Sequence, residues 1–359
     1  MPAITIQTPK GERTIGPGQP CFVIAEASSN HGNDLVRAKK LIDMATTAGA
    51  DAVKFQIFSA ETIAADTTDP RTIVRADEKS VFVDKDTKLI DLYKENELPR
   101  EWLPELADYA REKGIVFLAT PFDEEAVDQL EKVNIPIYKM ASYELLDLPL
   151  LRKVAGTKKP IILSTGMADL NDIMSALEIL KEARSGPVMF MHCSSIYPTP
   201  PEDINLNAMK TIQAEFHGSL VGYSDHSLGI VVPVVAVVLG ASVIEKHFFL
   251  NDGINTVDSK FSLNPDQLKL MVESVRIAEK SLGRAEKKPS AKEEKEKQQA
   301  RRSLWIVKDV RAGERLNKEN IKSLRPGIGI SSLEYDNVMG KKARKDIKAG
   351  TALSWNLIE

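Results

Sequence analysis

The sequence predicts an α/β protein, a parallel (β/α)8 barrel followed by a small, mostly β domain. Three observations carry that prediction. Short β-branched and aromatic runs alternate with amphipathic helical patterns from residue 21 to about residue 281, the mark of βα repetition and a parallel sheet. A wholly polar stretch, GRAEKKPSAKEEKEKQQA (283–300), then divides the chain, with no apolar face to bury. Beyond it, KDVRAGERL (308–316) and KDIKAGTAL (345–353) repeat one another thirty-seven residues apart, each with a turn-forming Ala-Gly before an apolar segment.

The elements follow in order. The first twenty residues lack a basic start ahead of an apolar core, so they read as an N-terminal extension and not as a secretory signal. Strands are predicted at CFVIAE (21–26), AVKFQ (52–56), VFLAT (116–120), YKMAS (138–142), PIILST (160–165), VMFMHC (188–193), LVGYSD (220–225) and SVIEKHF (242–248). Eight strands close a barrel of roughly 250 residues. The stretch 57–98 is too long for an ordinary βα loop, and its place after the second strand marks it as a lid or active-site insertion. LGIVVPVVAVVLGASVI (228–244) falls just short of the ~20 residues of a membrane span and carries Pro233, so it reads as a buried barrel helix with its strand. The predicted organisation is a barrel domain over 1–282, a linker with some helix over 283–300 and a small domain over 301–359. A core so small would lean on the barrel or on another subunit.

Charges nearly cancel, 48 basic against 51 acidic for a net of −3, so no global field draws this chain to nucleic acid or an anionic membrane. A small-molecule partner is expected. Cys21 and Cys193 sit inside apolar strands and read as small buried hydrophobes in a reducing, cytoplasmic compartment.

Active sites of such barrels collect at the carboxyl ends of the strands. There the sequence offers Glu26, Lys54, Gln56, Thr120, Lys139, Ser142, Glu144, Ser164, Thr165, Ser194, Ser195, Tyr197, Ser224, Asp225, His226, Lys246 and His247. Strands buried on both faces should be apolar, so Lys54 and Lys139 must point into the site or suffer unpaired burial. With the hydroxyls they form a cradle for a phosphorylated substrate. His226 and His247, twenty-one residues apart at successive strand ends, make a two-imidazole metal site. His31, His192 and His217 read as hydrogen-bonded structural residues. Glu26 has an alternative as partner of a buried lysine, and Lys246 as its counterpart or as a partner of Glu245. Helix capping is the default for Thr165 and an alternative for Ser164.

IAEASSNHGND (24–34), GADAVKFQ (49–56), ATPFD (119–123), YKMASYE (138–144), LSTGMA (163–168), HCSSIYPTPPEDINL (192–206), GYSDHS (222–227) and EKHF (245–248) together resemble the sialic acid synthase family over nearly the full length. The resemblance implies a TIM barrel followed by an antifreeze-like (SAF) β-rich domain in a domain-swapped homodimer. It implies condensation of phosphoenolpyruvate with an N-acetylated amino sugar in its open-chain aldehyde form, releasing phosphate. His226 and His247 would hold a divalent metal, manganese by preference, with magnesium or cobalt as alternatives. Lys54, Thr120, Lys139, Ser142, Ser164 and Ser224 would bind phosphoenolpyruvate. Glu26 would act as acid or base, while Gln56, Glu144, Tyr197 and Asp258 would orient sugar or water. Arg325, in SLRPGIG (323–329), would reach the sugar's N-acetyl end in the partner's barrel.

Ser195 stands where N-acetylneuraminate synthases usually have Asn, and TVDSKFSL (256–263) stands where they tend to carry a second Asp-His pair. That segment, with YKMASYE, GYSDHS and SLRPGIG, looks more like the pseudaminic acid synthase branch. N-acetylneuraminate, legionaminate and spore-coat polysaccharide synthases share enough motifs to stand as alternatives. A carbohydrate- or ice-binding protein with a retired barrel would have no reason to keep Glu26, Lys54, Lys139 and both histidines. A two-His hydrolase would leave the lysine and serine cradle without a purpose.

Overall fold

The computed structural model describes residues 3–76 and 82–359. The chain divides into two compact units, Met1–Gly283 and Arg284–Glu359.

The first unit is built on eight parallel strands, Phe22–Glu26, Ala52–Ile57, Val116–Pro121, Tyr138–Met140, Ile161–Ser164, Val188–Cys193, Val221–Asp225 and Val243–His247. They are the eight predicted from sequence. The eighth pairs back onto the first, with His247 opposite Glu26. The third and fourth lie side by side without a hydrogen-bonded ladder among the described residues, so closure there is by packing.

Strand side chains alternate between two faces. One set, including Phe22, Ile24, Leu118, Ile137, Ile162, Met191 and Val243, forms a single apolar cluster, and the other packs with the surrounding helices. The former cluster also takes in Ile4, Ile6 and Ile15 from an antiparallel hairpin, Ile4–Thr8 with Gly11–Ile15. The expected extension is therefore a built piece of the barrel, and its signal lay in the alternation of ITIQT before the turn residues Pro9, Lys10 and Gly11.

The long segment after the second strand holds a short helix, Ala60–Ile63, a two-stranded ribbon of Ile73–Val74 with Thr87–Lys88, and the helix Leu89–Asn96. Residues 77–81 of the predicted insertion lie outside the described residues. Between the histidine motifs runs the helix Val231–Val238. It is only half-buried, because Val231, Val235 and Val238 are exposed, which corrects the expectation of a buried helix. Among the described residues no helix is long and apolar enough to cross a membrane. Both cysteines are buried and free, and burial pushes each thiol up.

In the second unit the polar stretch contains a helix, Ala291–Ala300, started by a capping box between Ser290 and Glu293. Ser303–Ile306 then pairs antiparallel with Ile321–Leu324. The two repeats meet at Val310 and Ile347 and exchange caps: Asp309 accepts from the Ala349 amide and Asp346 from the Ala312 amide, each at 2.8 Å. Leu304, Ile306, Val310, Leu316, Ile347 and Leu353 belong to a core of its own.

Candidate active site

The barrel's alternation fixes the site. Continuing the apolar interior by two residues along each strand leads from Ile24 to Glu26, Ala52 to Lys54, Leu118 to Thr120, Ile137 to Lys139, Ile162 to Ser164, and Val243 to Glu245 and then His247. A cavity of about 630 Å³ opens at this level, and every barrel residue given a substrate, metal or acid-base role, from Glu26 to Asp258, lines it, whereas Thr165, Ser194, Ser195, Asp225 and Lys246 do not. Phe58, Phe82 and Tyr93 from the long insertion line it as well. Arg325 belongs to the other unit, where it is exposed and its Nε donates to the Ala300 carbonyl at 2.6 Å.

Its charged floor is a network of ion pairs. Lys54 Nζ lies 2.8 Å from Glu26 Oε2, donates to Thr120 Oγ1 at 3.0 Å, and stands 3.7 Å from Glu245 Oε2. Lys139 Nζ lies 3.3 Å from Glu245 Oε1, which also accepts from Ser224 Oγ at 3.1 Å. Gln56 Nε2 donates to Glu26 Oε1 at 3.0 Å. Burial pushes the Glu26 carboxyl up against the pull of Lys54. At Glu245 burial acts in the same sense, but Lys139 and Lys54 outweigh it and hold the carboxyl down at about 2.

The imidazoles form a second group. Burial, with His247 adding, pushes His226 down to about 3, so its ring is neutral. His226 Nδ1 donates to the Ser194 carbonyl at 2.6 Å, which fixes the tautomer and leaves Nε2 with a free lone pair. The His247 ring centroid is 5.4 Å away, and its buried Nδ1 has no hydrogen-bond partner among the described residues, with Asp258 Oδ2 at 3.5 Å. Among the described residues no cluster of three or more His, Cys, Asp or Glu side chains is set to hold a metal. A neutral imidazole with a free nitrogen beside a second ring has the chemistry of a two-ligand site, with positions left for substrate or water. Tyr197 packs its ring 4.3 Å from that of His226.

A turn over Ser142–Glu144 places both its ends on the cavity. The buried Glu144 Oε2 and Ser164 Oγ have no hydrogen-bond partner among the described residues, as expected of groups that meet a ligand. Ser164 therefore caps no helix. Nor does Thr165, which donates to the Met191 carbonyl at 3.5 Å, while Asp169 caps the following helix. Gly166 is required here, because a Cβ would lie 2.5 Å from Ser142 Oγ and 2.6 Å from Ser195 Oγ.

The other predictions resolve as follows. His31 Nδ1 accepts from the Asn33 amide, His192 bonds the Ile204 carbonyl, and His217 is exposed. Lys246 pairs with neither Glu26 nor Glu245; its Nζ lies 2.5 Å from Asp225 Oδ2, both side chains fully buried. Strand alternation turns it away from its neighbours. Glu245 itself escaped the sequence reading, although its spacing of two from His247 was the signal.

Residues 41–287 match the model of the NeuB family, and residues 301–359 that of the SAF domain. The chain belongs to the NeuB family. Within this family it is 41% identical to the pseudaminic acid synthase of Campylobacter jejuni serotype O:2, covering 92% of this chain and 95% of that one. It is 38% identical to the N,N'-diacetyllegionaminic acid synthase of Legionella pneumophila, covering 97% and 98%. Among solved structures, the N-acetylneuraminic acid synthetase of Leptospira borgpetersenii superposes with a TM-score of 0.71 at 32% identity, covering 82% of this chain and 95% of that chain. The relatives are synthases of sialic-type acids, and the barrel followed by a SAF domain is the architecture the sequence predicted.

Proposed function

We propose that this chain is a pseudaminic acid synthase, condensing phosphoenolpyruvate with 2,4-diacetamido-2,4,6-trideoxy-L-altrose and water to give pseudaminic acid and phosphate. The observation that carries the reaction type is the single cavity in which two buried lysines and several hydroxyls share space with a pair of imidazoles. YKMASYE, GYSDHS and SLRPGIG favour the pseudaminic branch. Similar identity to a legionaminate synthase supports that sugar as the second reading.

Lys54, Lys139, Thr120, Ser142, Ser164 and Ser224 would bind the phosphate and carboxylate, fixing carbon 3 of phosphoenolpyruvate against the sugar aldehyde. A divalent cation on His226 and His247, manganese by preference, would supply Lewis-acid polarisation of that aldehyde. A bond forms from carbon 3 to the aldehyde carbon, water adds at carbon 2, and the bond from carbon 2 to the phosphate oxygen breaks. Glu26, its carboxyl raised by burial and held by Gln56, is placed to carry a proton at the aldehyde oxygen or the incoming water. Tyr197, Glu144 and Asp258 would orient the sugar. Arg325 would contact the sugar's N-acetyl end in a partner's barrel, through a planar fork that lysine does not reproduce.

Phosphate release from phosphoenolpyruvate with manganese, run against N-acetylmannosamine, the diacetamido altrose and the diacetamido mannose, tests both class and sugar. The altrose should be the preferred acceptor. Preference for a mannose reassigns the branch, and no release with any sugar sinks the synthase reading.

A further inference from the structure

Glu245 has no part in the roles assigned above, yet it sits within the anion cradle. It is buried at 3% exposure. Its Oε1 accepts from Ser224 and lies 3.3 Å from Lys139 Nζ, while Oε2 stands 3.7 Å from Lys54 Nζ. That second oxygen has no hydrogen-bond partner among the described residues, so charge alone ties it to Lys54. Three donors of the cradle thus already face an anion that belongs to the protein.

We propose that Glu245 is a resident counter-anion, a positioning residue that holds Lys54, Lys139 and Ser224 in the free site and competes with small anions for them. The proposal rests on the phosphoenolpyruvate reading of the cradle. Two ammoniums side by side in a buried site repel one another, and a carboxylate between them removes that repulsion. The same negative charge repels any anion that arrives. A free phosphate engages only part of the cradle and gains too little to overcome that repulsion. Phosphoenolpyruvate carries a phosphate and a carboxylate on one rigid frame, so it can recruit both lysines and the hydroxyls at once. Glu245 in this role selects the two-headed anion over the one-headed anion. Lys139 Nζ at 3.3 Å and Lys54 Nζ at 3.7 Å favour its charged form.

Glu245→Gln keeps the shape and the acceptor for Ser224 but deletes the charge. At an effective dielectric of about 20, a unit charge a few ångströms away is worth about tenfold or more in affinity. Calorimetric titration of the full-length chain with inorganic phosphate, in chelator-treated buffer, should show about tenfold tighter binding for the variant than for the wild type. In turnover, the KM for phosphoenolpyruvate should fall along with kcat, because tighter ground-state binding and slower phosphate release do not help the transition state. Phosphate bound equally or more weakly by folded Glu245→Gln overturns the proposal. Should that variant not fold, Glu245→Asp, whose carboxylate is drawn back from both ammoniums, should bind phosphate about threefold more tightly, and no gain there overturns it as well. Phosphate tightened while neither protein binds phosphoenolpyruvate would sink the synthase reading and leave the counter-anion standing. Phosphoenolpyruvate bound while phosphate is not tightened would do the reverse.

Discussion

At the residue scale the cavity acts on individual acidities. Burial raises the Glu144 carboxyl to about 7 from an ordinary 4.5; Asp147 adds, while its own backbone amide and Lys139 oppose. The folded chain therefore holds a proton there that the unfolded chain releases between those two values. Stability from Glu144 is complete below the ordinary value and is lost as pH rises through about 7. Glu144→Gln should remove that decline, on the order of 2–3 kcal/mol, so its urea midpoint should fall less than the wild type's from pH 4.5 to 7.5. Parallel profiles would show that Glu144 ionises freely in the cavity. His247→Ala tests a different property of the same pocket. It should abolish metal-dependent turnover by at least about a hundredfold while leaving the circular dichroism spectrum and urea midpoint near wild type. Retained turnover would remove His247 from the metal role.

At the scale of the element, the eighth strand sends alternate residues to different tasks. Glu245 and His247 line the cavity, whereas Lys246 joins Asp225 on the other face and also donates to the Ser227 carbonyl. Burial pushes the Lys246 ammonium's pKa down against the pull of Asp225. Lys246→Met strands a carboxylate in the interior and should cost about 3–5 kcal/mol in urea unfolding. The double variant Asp225→Leu, Lys246→Met should recover most of that loss, because a matched apolar pair replaces a matched ionic one. A double variant no better than the single would mean that the two side chains are supported independently. The same alternation explains what was legible. Charged residues inside apolar strands had to face the barrel mouth, so Glu26, Lys54, Lys139 and His247 could be named from the sequence. Glu245 was passed over for its neighbour Lys246, although its spacing of two from His247 puts it, and not Lys246, on the face of that imidazole. The hairpin Ile4–Thr8 with Gly11–Ile15 was missed because short alternating strands give a weak signal, and its partner surface is the barrel floor, remote in sequence. Ser142 and Glu144 were found as residues, although the strand stops at Met140 and a turn delivers them.

At the scale of the whole molecule, each unit has its own hydrophobic core, and the proposed sugar contact, Arg325, belongs to the second unit. The proposal of a domain-swapped dimer makes a demand that can be tested without a structure of the complex. If Arg325 serves a partner's barrel, a chain carrying Arg325→Ala still offers an intact cradle, and a chain carrying Lys54→Ala still offers an intact arginine. Each homodimer lacks one half of every site and should be nearly inactive. In a heterodimer the Lys54→Ala chain lends its Arg325 to the barrel that retains Lys54, restoring one site of the two. Co-expression in equal amounts makes about half of all dimers mixed, so phosphate release should recover to about a quarter of wild type. If Arg325 instead works within its own chain, no mixed dimer contains an intact site and activity stays at the level of the parents. Recovery in proportion to the mixed fraction, separated by two different affinity tags, distinguishes complementation from a trace of wild-type protein. Failure to recover, with both variants folded and dimeric, removes Arg325 from the partner's site while leaving the chemistry at Lys54 and Lys139 untouched.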